Sequence, residues 1–425
     1  MNLQGNRQRL FAPQGRSNRR PLLPGDPVLW GIPIAITLLA GVLIASTQRD
    51  SPLADWENHW ITGAIGLAIG AGLARIDLEK FEKLLVPVYL LTLGSLLAVK
   101  VVGTSALGAQ RWISIGGLHV QPSEFAKLAA ILLLAGILAR HPVERPGDLL
   151  RPLGVIVVPW ALVFIQPDLG TSLVYGAIVL VMLFWAGLPL PWLVLLLSPL
   201  ATAILAGTIK LALIPWFVLF AYLAWRSLPW KRLGLAVSLA VNSIFAVITP
   251  LLWEHGLKDY QKDRLVLFLD PSKDPLGGGY HLIQSRIGIG SGQLFGTGLL
   301  HGHLTKLQFI PEQHTDFIFS ALGEEGGFLG CLVLLIAYAV LTWKLLQIAG
   351  RARSDFESLV VVGILAMLMF QVVINICMTI GLGPVTGIPL PWMSYGRFAM
   401  LVNFISIGLV ASVQRRSGGR NPLAR

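Results

Sequence analysis

Apolar stretches about as long as a bilayer is thick recur along almost the whole chain, and few folds can use such a pattern. A helix needs roughly 20 consecutive apolar residues to cross the hydrocarbon core, and it survives there because its backbone groups pair within the helix. Twelve candidates stand in the sequence, at roughly 28–46, 58–74, 84–102, 123–139, 152–166, 170–187, 190–208, 211–225, 232–253, 317–346, 357–381 and 392–413. Apolar residues make up 54% of the 425 and charged residues only 13%, against roughly 25% charged in an ordinary soluble domain. The expected fold class is therefore all-α, a polytopic membrane protein with about 10–12 transmembrane helices.

The connecting loops set the expected orientation. Lys and Arg concentrate in the short loops on one side: Arg75, Lys80 and Lys83; Arg140, Arg145 and Arg151; Arg226, Lys231 and Arg232; Lys344, Arg351 and Arg353. The tails continue the trend with Arg7, Arg9, Arg16, Arg19 and Arg20 at one end and Arg415, Arg416, Arg420 and Arg425 at the other. Both termini are expected in the cytoplasm, with the longest polar segment, about 254–316, outside. The net charge of +11 is then a topology signal, and no nucleic-acid binding follows from it. Residues 1–27 read as a disordered basic tail, too hydrophilic for a cleaved signal peptide. Residues 28–414 form one transmembrane domain, and 415–425 a second cytoplasmic tail. Cys331 and Cys377 fall inside spans, where they read as apolar filler.

The 254–316 segment has the composition of a structured loop. An apolar run at 265–269, turns at Asp270-Pro271 and Asp274-Pro275, and a triple glycine at 277–279 lead into an amphipathic stretch at 280–300, expected to lie on the outer leaflet. Gly288-Ile-Gly290-Ser-Gly292 lacks the strand and the Gly-Lys-Ser/Thr ending of a nucleotide loop, and His301-Gly-His303 lacks companions at zinc spacing. At the loop's end, Asp316 is the last acidic residue before an apolar span. Either it or Thr315 is read as a plain N-cap, or Asp316 is a carboxylate at the lip of the membrane that can take a proton.

Charges inside spans cost at least about 2.5 kcal/mol at mid-membrane and persist where they have a partner or a task. Glu124 and Lys127, at i, i+3 in the opening turns of the fourth span, share a helix face and are expected to pair. Arg397 either snorkels or neutralises a carboxylate. Asp168, ahead of Gly170 and Thr171, reads as turn and cap chemistry.

Seven motifs in order carry a resemblance: Gly108-Ala-Gln-Arg111-Trp-Ile, Gln121-Pro-Ser-Glu124-Phe-Ala-Lys127, Gln166-Pro-Asp168-Leu-Gly-Thr-Ser172, Tyr260-Gln-Lys-Asp-Arg264, Asp270-Pro-Ser-Lys-Asp274-Pro-Leu-Gly-Gly-Gly-Tyr280, Pro311-Glu-Gln-His-Thr-Asp316-Phe and Pro389-Leu-Pro-Trp-Met-Ser394-Tyr-Gly396. Together they resemble the SEDS family of bacterial cell-wall polymerases. Leu300-His-Gly302 before the Asp316 motif looks more like its rod-shape branch, RodA, than its division branch, FtsW. Two departures stand out: 190–253 is longer than the family's usual single span, read as an extra hairpin at 190–232, and Arg397-Phe398 replaces small residues.

The resemblance implies a multi-pass enzyme of the bacterial plasma (inner) membrane that polymerises lipid II into glycan strands during elongation. Asp316 would be the general base. Arg111, Arg264, Arg286 and Lys306 would face the departing pyrophosphate, and Glu124, Lys127, His314 and Ser394 would shape substrate binding. It further implies undecaprenyl pyrophosphate as product, a class B penicillin-binding protein (a transpeptidase) as partner alongside membrane lipids, and no tightly bound cofactor, with a divalent cation at the pyrophosphate left open. The rival readings are a division-type paralogue with the same chemistry, a flippase of lipid-linked precursors, and a scaffold for other wall enzymes.

Overall fold

Every one of the twelve apolar stretches forms a helix. In the computed structural model, which describes residues 23–47, 56–106, 109–116, 118–166, 168–228, 230–251, 273–274, 279–307, 309 and 313–417, they are α1 (Pro27–Thr47), α2 (Trp56–Leu73), α3 (Leu85–Val102), α4 (Pro122–Arg140), α5 (Leu150–Ile165), α6 (Leu169–Trp185), α7 (Leu190–Thr208), α8 (Leu213–Ser227) and α9 (Lys231–Leu251). After two shorter helices, α10 (Tyr280–Ser291) and α11 (His303–Lys306), come α12 (Ile318–Gly350), α13 (Asp355–Thr379) and α14 (Arg397–Ser417). Among the described residues nine helices are long and apolar enough to cross a membrane. The chain is an all-α, multi-pass membrane protein. α6 is apolar but shorter, α8 has 15 residues, and α2 opens with the polar Glu57, Asn58 and His59.

The core lies around α4 and α13, the two helices most deeply enclosed by their neighbours. α14 lies along α2 through small residues: a Cβ on Gly70 would come 2.5 Å from the Phe404 carbonyl, and one on Gly408 would come 2.4 Å from the Gly70 carbonyl. In lipid, where no hydrophobic effect drives helices together, such close approach is what van der Waals packing requires.

Three departures from plain helices build the end of the bundle that holds Asp316. First, α3 and α4 are joined by an antiparallel meander of β1 (Thr104–Ala106), β2 (Ala109–Ile115) and β3 (Leu118–Val120). Its second turn pairs Ile115 with Leu118, a two-residue hairpin whose Gly116 has φ 57°. The helical reading of the chain did not anticipate these strands, although Gly116-Gly117 between alternating residues is a hairpin signature.

Second, α12 is broken at Gly327, where φ is 62° and ψ −165°. The carbonyls freed there find donors in the chain after α10: Thr297 N–H bonds to Glu324 O at 2.9 Å and Gly298 N–H to Glu325 O at 3.0 Å. Beyond the break, Phe328 and Leu329 N–H bond to the carbonyls of Gln293 and Leu294. Third, residues 380–396 between α13 and α14 are not helical but are buried or half-buried apart from Leu382 and Gly387, so the last helix starts at Arg397 and not near 392. Side chains take up the exposed backbone: Tyr338 OH donates to Pro391 O at 2.6 Å, Asn375 Nδ2 to Ile388 O at 2.8 Å, and Leu390 N–H donates to Ser394 Oγ at 2.7 Å. Irregular backbone at membrane depth survives only where protein satisfies it in this way.

Much of the expected 254–316 loop, including Arg264, lies outside the described residues. Its second half does more than rest on a leaflet. α10 buries Leu282, Ser285 and Gly288, and Ser285 Oγ meets Ser320 Oγ at 2.5 Å while donating to Thr379 O at 2.7 Å. Of the glycines in 288–292, Gly292 serves this packing, since a Cβ there would come 1.9 Å from the Gly323 carbonyl. The helices α7, α8 and α9 pack chiefly on one another, tied by a buried cluster in which Asn242 accepts from Thr202 at 2.5 Å and donates to Ser198 at 2.9 Å, and Trp216 donates to Thr202 at 2.9 Å.

Candidate active site

Asp316 is half-buried in the turn before α12. The N-cap position of α12 is Phe317, and no side chain caps it, so Asp316 sits one residue outside the cap. Two features hold its backbone. Asn375, from α13, donates from one amide nitrogen to Asp316 O and Ile388 O, both at 2.8 Å, and Tyr395 N–H donates to His314 O at 2.9 Å. Its carboxylate faces Gly387, φ 72°, where an added Cβ would lie 3.4 Å from Oδ2. Glycine at 387 keeps that approach open and tolerates the left-handed conformation.

The same irregular segment gathers the neighbouring motifs. A Cβ on Gly170 would come 2.5 Å from Thr386 O, which seats the start of α6 beside Gly387. Asp168 caps α6 as expected, accepting from Thr171 N–H at 3.1 Å and its hydroxyl at 3.0 Å. It also lies 3.7 Å from Arg111 on β2, a pairing the spacing did not reveal. On the other side His281 stacks on Phe317 with ring centroids 6.0 Å apart. The stem of Arg286, further along α10, lies against Gly381: its Cδ would be 3.1 Å from a Cβ there. Arg286 is exposed.

Glu124 and Lys127 pair as their i, i+3 spacing predicts, at 2.8 Å, with 2% and 1% of their surfaces exposed. The second carboxylate oxygen of Glu124 and the hydroxyl of Tyr175 are buried without a partner among the described residues. They leave unmet hydrogen-bonding capacity that a water or a substrate group can fill. Arg397 is half-buried at the start of α14, and its neighbour Phe398 packs edge-on against Phe125, centroids 6.0 Å apart.

Two of the expected substrate contacts also engage the protein itself. Ser394 is 4% exposed and its hydroxyl holds the Leu390 N–H, so it shapes the turn below the site. His314 meets Tyr395 ring to ring at 6.2 Å, and Tyr395 in turn stacks on His59 at 6.3 Å. Lys306 is half-buried at the end of α11, on a loop whose position depends on two acids that the sequence reading passed over. Glu324 accepts from Leu304 N–H at 2.8 Å, Thr305 N–H at 2.9 Å and the Thr305 hydroxyl at 2.6 Å. Glu325 accepts from Leu300 N–H at 2.9 Å and from the Ser46 hydroxyl. Both are 1% exposed inside an apolar span. The cost argument that singled out Glu124 and Lys127 applies to them equally, as it does to the buried Asn375 on α13. Among the described residues no group of three or more His, Cys, Asp or Glu is placed to hold a metal ion.

Comparison with known proteins agrees on one family. The profile of the FtsW/RodA/SpoVE family, described as "Cell cycle protein", matches residues 28–227 and 206–418. The chain is 36% identical to the peptidoglycan glycosyltransferase MrdB of Escherichia coli K12, covering 91% of this chain and 93% of that protein. To the peptidoglycan glycosyltransferase RodA of Treponema pallidum it is 35% identical, covering 90% and 96%. Among solved structures, one described as "Structural coordination of polymerization and crosslinking by a peptidoglycan synthase complex" superposes with a TM-score of 0.70, at 29% identity and over 92% and 98% of the two chains. The crystal structure of the Thermus thermophilus rod shape determining protein RodA gives 0.60 at 26% identity, over 92% and 97%. With its profile match running from the first helix to the last and its relatives spanning nearly its whole length, this chain belongs to the FtsW/RodA/SpoVE family, on its RodA side.

Proposed function

We propose that this chain is an elongation-type peptidoglycan glycosyltransferase of the bacterial plasma membrane, with its termini in the cytoplasm, that joins lipid II units into glycan strands at the outer surface. The observation that carries the residue assignment is Asp316: an acidic side chain at the mouth of a bundle, its backbone held by Asn375 and its carboxylate facing an open glycine. Glycosyl transfer needs a base for the acceptor hydroxyl, and a positioned carboxylate accelerates such a step by about 10²–10⁴-fold. The departing pyrophosphate develops negative charge, for which Arg286, Lys306, Arg264 and Arg111, the last beside Asp168, are the candidate cations. Glu124 and Lys127 form the polar wall beneath. A divalent cation would reach the site with the pyrophosphate of the substrate, and chelation during turnover tests for it.

A class B penicillin-binding protein is the partner this reading requires, since uncrosslinked strands need a transpeptidase. The relative solved as a synthase complex supports it. Purified protein supplied with lipid II tests the core reading. Wild type is expected to make glycan strands and Asp316→Asn to lose at least about 10²-fold in rate while eluting and melting like wild type. Near-normal polymerisation by that variant overturns the assignment of the base, and no polymerisation by wild type with its transpeptidase present overturns the activity.

A further inference from the structure

The satellite of α7, α8 and α9 meets the turn ahead of α5 around a cavity of about 240 Å3. Pro146, Leu149, Trp192, Leu196 and Val241 form apolar walls, and Asn242 lies deep inside. Asn242 offers an occupant little, because Thr202, Ser198 and the Ser238 carbonyl already engage its amide. The interior is therefore suited to hydrocarbon. Its volume is below the roughly 300–1,000 Å3 of pockets that enclose a drug-sized molecule, so it admits a chain and not a whole lipid. α9 rises roughly 16 Å between Lys231 and Asn242 at 1.5 Å per residue, about half of the roughly 30 Å hydrocarbon core and hence the depth of one leaflet.

The chain on either side of the Leu228 and Pro146–Leu149 lining is cationic. Arg226, Lys231 and Arg232 flank Leu228 on one wall, and Arg145 and Arg151 flank Pro146 and Leu149 on the other. All five are exposed, and none makes an ion pair among the described residues; Arg226 leans on the Tyr222 hydroxyl at 2.7 Å. The acid between them, Asp148, is turned to the backbone, accepting from Arg145 N–H at 2.8 Å and Glu144 N–H at 3.2 Å. This is the end of the bundle opposite Asp316, so the feature has no part in the proposed chemistry.

We propose that this cavity is a binding site for one anionic phospholipid, its phosphate on Arg226, Lys231 and Arg232 and one acyl chain between α7, α9 and the Pro146 turn. An apolar slot one leaflet deep under a cluster of unpaired cations matches that ligand in both shape and charge. The purified full-length protein, offered equal phosphatidylglycerol and phosphatidylcholine in detergent and examined by native mass spectrometry, tests it. One phosphatidylglycerol is expected to be retained with roughly tenfold preference, because each cation near an anionic headgroup adds to affinity. The triple variant Arg226→Ala, Lys231→Ala, Arg232→Ala should lose the preference. Leu196→Trp should lose retention with the cations intact, and Val241→Phe does the same from the facing wall should Leu196→Trp misfold. Equal retention of the two lipids, undiminished preference in the triple variant, or undiminished retention in a folded cavity-filling variant each overturns the proposal. Displacement by glycerol phosphate as effective as by phosphatidylglycerol also overturns it, since the chain would then contribute nothing.

Discussion

Each end of the bundle is held by a different kind of polar contact. At the end away from Asp316, charges answer charges across regular helix ends: Arg416 reaches Glu79 and the buried Glu357 at 2.9 Å each and also Asp77, Lys344 pairs with Asp26, and Arg140 with Glu82. Arg415 donates to Arg75 O and Ser412 to Ile76 O, fastening α14 to the end of α2. At the Asp316 end, polar side chains serve backbone: Asn375, Tyr338, Glu324 and Glu325 hold carbonyls and N–H groups that no helix satisfies. One end clamps helices together, and the other maintains an irregular chain. The difference follows from the cost of unpaired backbone in lipid, which forces any opening in the helical ladder to be filled by side chains.

The contrast predicts which variants damage folding alone and which damage chemistry. The largest effect is expected from Gly327→Ala, because a Cβ there would come 2.3 Å from Gly296 N at a φ of 62°. Strain and overpacking together cost roughly 2–5 kcal/mol, read as a lower melting temperature and lost polymerisation. A normal melt would show that the break in α12 is not held as described. Next, Arg416→Gln strips the buried Glu357 of its counter-charge, at a cost of about 3 kcal/mol. Protein that remains folded should polymerise at near wild-type rate, and a rate loss exceeding the loss of folded protein would erase the distinction between the ends.

Asn375→Ala leaves two carbonyls without their donor, for about 2 kcal/mol in stability. The sharper readout is kinetic: kcat should fall roughly tenfold with little change in KM, as for an interaction felt in the transition state. A pure stability loss would reduce Asn375 to a structural tie. Glu124→Ala and Lys127→Ala should be strongly non-additive, with a coupling of about 1–3 kcal/mol in a double-mutant cycle; additivity would mean the 2.8 Å pair contributes nothing as a pair. The smallest effect is expected at Asp26, whose hydrogen bond from Lys344, then that from Val28 N–H, holds its carboxyl below the usual range. Because the folded value is the lower one, this stabilisation is present above about pH 4 and fades as pH falls through the folded value. Lys344→Met should remove a few tenths of a kcal/mol at neutral pH and flatten the acid limb of the melting profile.

The positions of the twelve apolar helices were legible in the sequence because each is long relative to any error in its ends, and the Glu124–Lys127 pair because helical spacing is local. Asp316 stood out as an acid beside an apolar run. Its holder did not: Asn375 is 59 residues away, and nothing local marks which carbonyl a buried amide will meet. Glu324 and Glu325 were detectable by the same burial cost that exposed Glu124, but their partners on the 300–305 loop were not.

Hydropathy along the chain thus determined a bundle of membrane helices by itself, since lipid permits almost nothing else, and the order of the motifs carried the family. Where those helices stop was a tertiary decision. The break at Gly327 and the unwound 380–396 segment exist because groups distant in sequence supply the hydrogen bonds that each lost turn of helix gives up, and no local pattern encodes a donor on another element.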